Sequence, residues 1–559
     1  MYPKKWKSAV VAAVAAAGLA GNVVASPTST STSPAPVTLT QGVVHGTSTM
    51  LADTTVNKYL GIPYAHATRF EKAISVGASG ADIDATQWGD KCPQTNTGSA
   101  AMLDGEVDDS EDCLFVNVYA PETAASVGNK TVLVWIYGGG LQTGNSGRAE
   151  YDGSSFAANQ DIILVSFNYR LNVFGFSNSP AIAAEDTNVG FWDQRLALEW
   201  IYANIGAFGG NRDSIVLMGE SSGAASVDRL VVNPPNVPIH GAIMQSGQAS
   251  VSASADHTGV QKWTELATAV KCSNDDAAAE LSCMQAVNAT VLQQTVEQLS
   301  LNFFPVNDNI TQSGTPLVDA IKEGGKGAHI PLMVGTNAYE GSLFVAPYLQ
   351  SAIDASGNVN TSMLATTIES FGILPDAISG VVKPFLDSLL LISPSHLLMS
   401  LSTIVTSLIF KCPAKEVAHA HLYASDMPVY RYLYSATFDN TQQGHLIPAL
   451  DITNIGAYHS AEIPIVFGTY SVYDSVSPST EDQKALSRVM QTHWADFAKN
   501  PSNPGFEEWN RVSHSHTHDM ACFGCDAAPA GIKSMSEWEI DGDCLLFDTL
   551  LKADKPLFK

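Results

Sequence analysis

Three nearly continuous apolar runs constrain the fold of this chain more than any other feature of its sequence. They cover residues 131–137, 162–169 and 214–218. A strand has this pattern when helices bury both faces of its sheet. Helical runs such as residues 192–205 and 481–499 alternate with the strand candidates, which is typical of α/β proteins with a mainly parallel sheet.

Four further strand candidates extend this alternation along the chain. They are residues 114–119, 242–245, 331–334 and 429–434. At about 150 residues per domain, the length would by itself suggest three or four domains. The motifs described below are spread over most of the chain, so we expect a single α/β domain over residues 37–559.

The N-terminus has the pattern of a secretory signal. Three lysines precede an apolar run over residues 9–20, and Val23 and Ala25 occupy the −3 and −1 positions of a cleavage site. The apolar run is too short to span a bilayer comfortably, which disfavours a membrane anchor. We therefore predict a signal peptide over residues 1–25 and a flexible Ser/Thr/Pro-rich tail over residues 26–36.

Charge and cysteine content agree with export. The formal charge of −26 disfavours nucleic acids and anionic membranes as partners. An even number of cysteines, eight, behind a signal peptide predicts disulfides rather than free thiols. Candidate surface glycosylation sites are the four N-x-Ser/Thr sequons at Asn129, Asn288, Asn309 and Asn360. The oligomeric state is not indicated.

One segment, residues 385–410, is rich in large apolar residues, and Asp387 is its only charge. Pro394 and His396 interrupt it, which disfavours a membrane span. Two interpretations stay open: a pair of core helices, or a helical cap that lines an acyl-chain pocket.

The sequence GESSG at residues 219–223 is the only GxSxG of the chain. It follows the apolar run 214–218 and precedes a segment that can be helical from Ala224. Strand, tight turn and helix form the context in which a nucleophile elbow exposes its serine, here Ser221. The flanking glycines permit the strained turn. An ordinary Gly/Ser turn is the alternative.

A second glycine-rich motif, residues 138–140, follows the apolar run 131–137. Esterases use such a loop to point backbone N–H groups at the developing oxyanion, and the residue after the nucleophile supplies another. A simple glycine-rich turn is an equally good interpretation of this motif alone.

A serine nucleophile needs a base, and the base needs an acid that orients it. In this fold the acid and then the histidine follow the serine along the chain, and many of the 14 histidines and the acids qualify. Glu340 follows the run 331–334 across a short loop, and His459 lies in a loop before another apolar run. The residues alone leave both assignments open. Glu220, beside the candidate nucleophile, could tune the local field or be structural.

Further motifs make the chain resemble the type-B carboxylesterases, the family that also contains cholinesterases and a group of secreted lipases. The similarity runs from residue 42 to residue 550. Besides GESSG, it is carried by YLGIPYA at 59–65, EDCL at 111–114, NYR at 168–170, DQRLAL at 193–198 and FGGN at 208–211. The resemblance implies an α/β-hydrolase fold with a helical cap region between the catalytic Glu and His.

The resemblance also selects the remaining site residues. GTNAYEG at 335–341 matches the family's acid motif and implies Glu340, whereas GAYH at 456–459 matches its histidine motif and implies His459. The oxyanion donors it implies are the backbone N–H groups of Gly139, Gly140 and Ser222. The family usually has alanine after the nucleophile, so the hydroxyl of Ser222 is a departure. The implied enzyme is a Ser-His-Glu ester hydrolase that forms an acyl-enzyme on small-molecule esters without a cofactor.

The same resemblance implies three cysteine pairs. They are Cys92 with Cys113, Cys272 with Cys283, and Cys412 with Cys544. The two cysteines left over, Cys522 and Cys525, are expected to bond to each other. Three nearby histidines, His514, His516 and His518, could suggest a metal site with the last pair. We expect a disulfide there and no metal.

Departures from the family's subgroups bear on the substrate. The loop between Cys92 and Cys113 carries the lid in the family's lipases, but here it is polar and acidic around residues 108–112. It also lacks the tryptophan with which cholinesterases hold a quaternary ammonium. Both features favour a general carboxylesterase. The alternatives are a lipase on long-chain acylglycerols and, disfavoured because every triad position is kept, a non-catalytic adhesion or recognition protein.

Overall fold

The structure is a computed structural model that describes residues 33–94, 107–248, 258–312, 329–353, 359–363, 394–425, 427–442, 454–513 and 519–545. Several predictions lie outside these residues. They are the signal peptide over 1–25, most of the tail over 26–36, the apolar residues 385–393, and His514, His516 and His518.

Sixteen strands occur in the described part of the chain. They are β1 (Val37–Leu39), β2 (Gly42–His45), β3 (Thr47–Leu51), β4 (Thr54–Pro63), β5 (Ala65–His66), β6 (Ile74–Ser75), β7 (Ala81–Asp84), β8 (Phe115–Pro121), β9 (Lys130–Ile136), β10 (Ile163–Phe167), β11 (Gly210–Glu220), β12 (Gly241–Gln245), β13 (Leu332–Asn337), β14 (Val429–Tyr434), β15 (Met520–Phe523) and β16 (Ile532–Met535).

Eleven of these strands form one central sheet in the order β16-β15-β14-β13-β12-β11-β9-β10-β8-β4-β3. The strands from β10 to β15 in this order run parallel, whereas β8, β4 and β3 on one side and β16 on the other pair antiparallel. Every residue of β10, β12, β13 and β15 is buried. The chain therefore has the α/β class, with a large and mostly parallel sheet between helices, consistent with an α/β-hydrolase fold.

Fourteen α-helices, again counted over the described residues, connect and cover the strands. They are α1 (Ala124–Val127), α2 (Ser154–Gln160), α3 (Asn172–Gly175), α4 (Val189–Asn204), α5 (Ser222–Val232), α6 (Gly259–Ala269), α7 (Ala277–Ala286), α8 (Ala289–Gln298), α9 (Gly341–Ser351), α10 (Pro394–Val405), α11 (Cys412–Ser425), α12 (Ile463–Phe467), α13 (Glu481–Lys499) and α14 (Glu537–Asp541). Local chemistry sets their ends. For α13, the Thr480 hydroxyl accepts from the Gln483 N–H at 3.1 Å, and two acids occupy the first turn.

All seven predicted strands are confirmed as β8 to β14, and both predicted helices as α4 and α13. The first seven strands and the last two were not predicted. In β4 most residues are only partly buried, so an apolar run is not expected there.

The described part of the apolar segment, residues 394–410, belongs to one long helical run. α10 passes through a π-helical turn, Thr406–Lys411, into α11. Residues Leu397–Ser425 are long and apolar enough to cross a membrane, but 67% of the most apolar stretch is buried inside the protein, as in a core helix. The run packs on α9, where a Cβ at Gly341 would lie 2.5 Å from the Ser402 carbonyl oxygen.

The cysteines form four disulfides, which join Cys92 to Cys113, Cys272 to Cys283, Cys412 to Cys544 and Cys522 to Cys525. Three of these are the pairs that the family resemblance implies, and the fourth joins the two cysteines left over. The bond of Cys412, at the start of α11, spans 132 residues of sequence and ties that helix to the segment after α14. Four disulfides suit a protein of the secretory pathway.

A buried ion cluster holds α14 against the sheet. Arg431 of β14 is 1% exposed, and its Nη1 donates to Glu537 Oε1 at 2.6 Å and to an Asp541 carboxylate oxygen. His419 of α11 contacts the other oxygen of Glu537 at 2.9 Å. The Arg431 and His419 side chains keep the pKa of Glu537 well below its usual range, against the opposing effect of burial.

Replacing Arg431 by methionine should therefore destabilise the protein. The buried Asp541 would lose its cation and Glu537 would lose Arg431 and keep His419, and breaking such a buried pair costs about 3–5 kcal/mol. We expect lower midpoints of thermal and urea unfolding. Lys484→Met is the control, because its ion pair with Glu481 is solvent-exposed and contributes about 0–1 kcal/mol. Equal midpoints for the two variants would contradict a stabilising role of the buried cluster.

Candidate active site

Ser221 lies in a sharp turn between β11 and α5. Its backbone has φ 56° and ψ −127°, a conformation that non-glycine residues adopt only under strain, at a cost of about 1–3 kcal/mol. The glycines of GESSG allow strand and helix to approach each other. A Cβ at Gly223 would lie 2.0 Å from the Ile136 carbonyl oxygen, and one at Gly219 would lie 2.6 Å from the Gly223 backbone. The turn therefore matches the predicted nucleophile elbow in its geometry.

Neighbouring strands hold the turn in place. The Ser221 N–H donates to the Gln245 carbonyl at the end of β12, at 2.9 Å. A Cβ at Gly247 would lie 1.9 Å from the Ser221 carbonyl oxygen. Contacts at the carboxyl end of the parallel sheet thus fix the strained backbone. Ligands bind at this end in open α/β folds.

The glycine loop after β9 lies beside this turn. A Cβ at Gly138 would be 2.8 Å from the Ser221 Cβ. The next two residues, Gly139 and Gly140, are exposed and have positive φ angles of 109° and 65°. Among the described residues, the N–H groups of Gly139, Gly140 and Ser222 have no hydrogen-bond acceptor.

Glu340 and His459 meet at the same end of the sheet. Glu340 follows β13, and His459 lies in the chain between β14 and β15. Both are buried, and His459 Nδ1 lies 2.7 Å from Glu340 Oε2. The Asn337 N–H donates to the other Glu340 oxygen at 2.7 Å. The carboxylate is therefore fixed on one side by backbone and on the other by the imidazole.

A second carboxylate contacts the other edge of the imidazole. Glu220, the residue before Ser221, places Oε1 3.2 Å from His459 Nε2 and is 2% exposed. The Ser460 hydroxyl donates to the same oxygen at 2.6 Å. Glu220, whose role the sequence left open, thus lies between the nucleophile turn and the histidine.

A third buried carboxylate, Glu462, completes the polar region under the site. Gln245 Nε2 donates to its Oε1 at 3.0 Å, and Asn337 Nδ2 donates to its Oε2 at 2.6 Å. Asn337 therefore bridges Glu340, through its N–H, and Glu462, through its amide. Burial raises the pKa of Glu462, and the charge of Glu340 raises it further.

Three carboxylates around one imidazole determine its protonation. Burial alone would lower the pKa of His459, but the charges of Glu220, Glu340 and Glu462 outweigh it and raise the pKa to about 9. Burial raises the pKa of Glu220, and the nearby His459 opposes this effect. The site stabilises an imidazolium, the form that a histidine reaches after it has accepted a proton.

Two aromatic rings cover the imidazole. Phe410, in the π-helical turn, has its ring centroid 4.8 Å from that of His459, and Phe344 of α9 lies at 5.1 Å. The two phenyl rings also stack on each other. Phe344 is 38% exposed, so the wall that these rings form reaches solvent.

The structure brings Glu340 and His459 into contact and places the glycine loop against Ser221. Sequence reasoning missed the contacts of Ser460, Glu462 and Phe344 with this region. A signal existed only for Phe344, which lies one helical turn after Glu340 and shares the start of α9.

The remaining predictions concern the glycosylation sequons and the suggested metal site. Each sequon asparagine is exposed, at Asn129, Asn288, Asn309 and Asn360. Cys522 and Cys525 are joined in a disulfide, so they offer no thiolate to a metal. No group of three or more His, Cys, Asp or Glu residues with metal-site geometry occurs in the described part of the chain.

Comparison with known proteins identifies a family. The model of the carboxylesterase family matches residues 33–533. The para-nitrobenzyl esterase of Bacillus subtilis is 31% identical over 491 residues, which are 85% of this chain and 91% of that protein. The pyrethroid hydrolase Ces2e of Rattus norvegicus is 29% identical over 504 residues, 85% of this chain and 84% of that protein. The cholinesterase of Mus musculus is 29% identical over 486 residues, 83% of this chain and 78% of that protein.

Replacing Glu220 by glutamine should lower the pKa of His459. The substitution removes the carboxylate at Nε2, and a charge at this distance shifts a pKa by about 1–3 units. A base must be neutral to accept a proton, so reactions that need neutral His459 should persist to lower pH in the variant. The rate at which an organophosphate modifies Ser221, measured against pH, should show its acidic midpoint about one unit lower or more.

The matched control is Glu462→Gln, which removes a buried carboxylate that does not contact the imidazole. We expect a smaller shift of the midpoint in this variant. Equal midpoints for wild type and Glu220→Gln would show that Glu220 does not control the protonation of His459.

Proposed function

The chain belongs to the carboxylesterase family, and we propose that this hydrolase is a secreted serine esterase that acts through Ser221, His459 and Glu340. One observation carries the proposal: a buried 2.7 Å contact joins His459 Nδ1 to Glu340 Oε2 at the sheet end that also holds the strained Ser221 turn. A base that an acid orients, close to a serine in an elbow, is the arrangement that serine hydrolysis needs.

In the first step, His459 takes the proton of the Ser221 hydroxyl while Oγ attacks the ester carbonyl carbon. Glu340 keeps the imidazole in one orientation and stabilises its cation. The imidazolium then returns the proton to the leaving alcohol, and an acyl-enzyme remains on Ser221. Water attacks the acyl group by the same path and releases the carboxylic acid. The residues of the chain supply every group that these steps require.

The oxyanion of each tetrahedral intermediate would be held by the N–H groups of Gly139, Gly140 and Ser222. Removing one such donor typically costs about 3–4 kcal/mol of transition-state stabilisation. The positive φ angles of both glycines support this role, because an L side chain would be strained in that backbone. Glycine also lets the backbone approach the substrate closely.

The substrate we propose is a small carboxylic ester with an apolar acyl or alcohol group. Phe344 and Phe410 form an apolar wall beside His459, and the described part of the Cys92–Cys113 loop is polar at Asp108 and Asp109. A lipase is the second candidate. The long apolar run through α10 and the π-helical turn, which brings Phe410 to the imidazole, favours it.

A series of p-nitrophenyl esters from acetyl to palmitoyl tests the proposal. We expect hydrolysis that peaks at short or medium chains in the wild type. In Ser221→Ala the rate should fall by about 10⁶, because the nucleophile is lost and only oxyanion and binding effects remain. Circular dichroism of the variant should match that of the wild type, which excludes unfolding as the cause.

The acyl-chain profile decides between the two candidates. A peak at long chains, with a rate that rises above the solubility limit of a triglyceride, would favour the lipase. Equal hydrolysis by wild type and Ser221→Ala would show that Ser221 is not the nucleophile.

We also propose that residues 1–25 are a signal peptide and that a single catalytic domain spans residues 37–559 after a tail over 26–36. The exposure of Asn129, Asn288, Asn309 and Asn360 supports glycosylation at these positions. Expression in a eukaryotic host should give a secreted protein whose N-terminal residue is Ser26 and whose mass falls on treatment with peptide N-glycosidase. An unprocessed Met1, or retention in the cell, would contradict the leader assignment.

A further inference from the structure

The hydroxyl of Ser222 is a group that the proposed mechanism does not use, because only the backbone N–H of this residue faces the oxyanion. In this chain the hydroxyl accepts a hydrogen bond from the Leu141 N–H at 3.2 Å. Leu141 is the residue directly after the three glycines of the oxyanion loop, so the contact fixes one end of that loop.

Tyr169 fixes the other end of the loop. Its phenol donates to the Tyr137 carbonyl at 2.8 Å, and Tyr137 directly precedes Gly138. The loop is therefore held at its two ends by separate contacts, one with the Ser222 hydroxyl and one with the Tyr169 phenol.

Both tyrosines are rigid. Tyr137 and Tyr169 are fully buried, their rings stack with centroids 4.5 Å apart, and the Tyr137 phenol donates to the Tyr169 carbonyl at 3.2 Å. On the other side, the Leu141 carbonyl accepts from the Asn172 N–H at 2.8 Å. The glycine loop is therefore connected to fixed points at both of its ends.

The loop needs such external fixation. Three consecutive glycines have no side chains that pack, and glycine has the largest backbone freedom of any residue. Leu141 itself has a left-handed backbone with φ 61°, which its N–H and carbonyl contacts maintain. Oxyanion stabilisation depends on donors that are already in position when charge develops, so freedom in this loop would lower the rate.

We propose that Ser222 is a positioning residue, whose hydroxyl holds the Leu141 end of the oxyanion loop at a fixed distance from the nucleophile. The inference rests on the proposed function of the same site. Ser222 then has two separate roles. Its N–H acts on the oxyanion, and its hydroxyl acts through the positions of Gly139 and Gly140. The effect belongs to the transition state, so it changes kcat and not KM.

Ser222→Ala removes the hydroxyl and keeps the N–H. The variant should fold, because Ser222 is the first residue of α5 and alanine is a good helix former. With a p-nitrophenyl ester we expect kcat to fall by about 10-fold to 100-fold, as for small misplacements of catalytic groups, at unchanged KM. Inhibition by a trifluoromethyl ketone, which forms a hemiketal oxyanion on the serine, should weaken by the same factor as kcat/KM.

The matched control is Ser226→Ala, one turn further along α5. Its hydroxyl is also buried and donates to the Ser222 carbonyl at 2.9 Å, but it does not contact the glycine loop. This variant should keep kcat and the ketone affinity of the wild type, even where its melting temperature falls. A merely structural role of Ser222 would move the melting temperature and leave both kinetic values unchanged.

Tyr169→Phe provides a second comparison, because it removes the contact at the other end of the same loop. We expect it to lower kcat at unchanged KM, as Ser222→Ala does, since both contacts act on the positions of Gly139 and Gly140. Unchanged kcat in Ser222→Ala of an active enzyme, or a change confined to KM, would overturn the proposal. A wild type that hydrolyses no ester would instead refute the proposed function.

Discussion

The strained backbone of Ser221 is the constraint on which the site depends. Its φ of 56° and ψ of −127° turn the chain so sharply that β11 and α5 nearly touch, and only glycine fits where Gly219 and Gly223 meet the neighbouring backbone. Such a turn costs free energy. It persists because the neighbouring parallel strand holds it: the Ser221 N–H donates to the Gln245 carbonyl of β12. The large sheet, with strands buried on both faces, provides the stability that this local strain requires.

The electrostatics of the site follow from burying three carboxylates near one imidazole. A buried carboxylate without a partner is costly, and here each has one: Glu340 has the Asn337 N–H and His459, Glu462 has two side-chain amides, and Glu220 has Ser460 and His459. The consequence is an imidazole whose charged form is favoured. In the proposed mechanism, that preference stabilises the ion pair formed in the transition state, but it also makes the neutral base scarcer as the pH falls. The contact of Glu220 with Nε2 therefore has two opposing effects on His459: it stabilises the protonated imidazole, and it reduces the fraction of neutral imidazole.

Sequence reasoning predicted the parts of this arrangement that local patterns encode. The strands β8 to β14 are recognisable because burial on both faces produces apolar runs, and Ser221 because strand, GxSxG and helix are contiguous. In contrast, β4 was missed since a partly exposed antiparallel strand leaves no such run. Glu340 and His459 are 119 residues apart, and no local pattern brings them together; only the resemblance to a family selected them. The contacts of Glu220 and Glu462 with the histidine region depend on how loops from different strands meet, which spacing along the chain does not encode.

The two residues beside Ser221 have complementary contacts. Glu220 lies 3.2 Å from His459 Nε2, and the Ser222 hydroxyl accepts from the Leu141 N–H at the end of the glycine loop. In the proposed mechanism, one neighbour thus adjusts the group that moves the proton, and the other adjusts the groups that receive the negative charge. Both act over fixed distances because they share the rigid backbone of Ser221. If Ser221 is the nucleophile we propose, the strain at this one residue is what aligns the base and the oxyanion donors with the same serine.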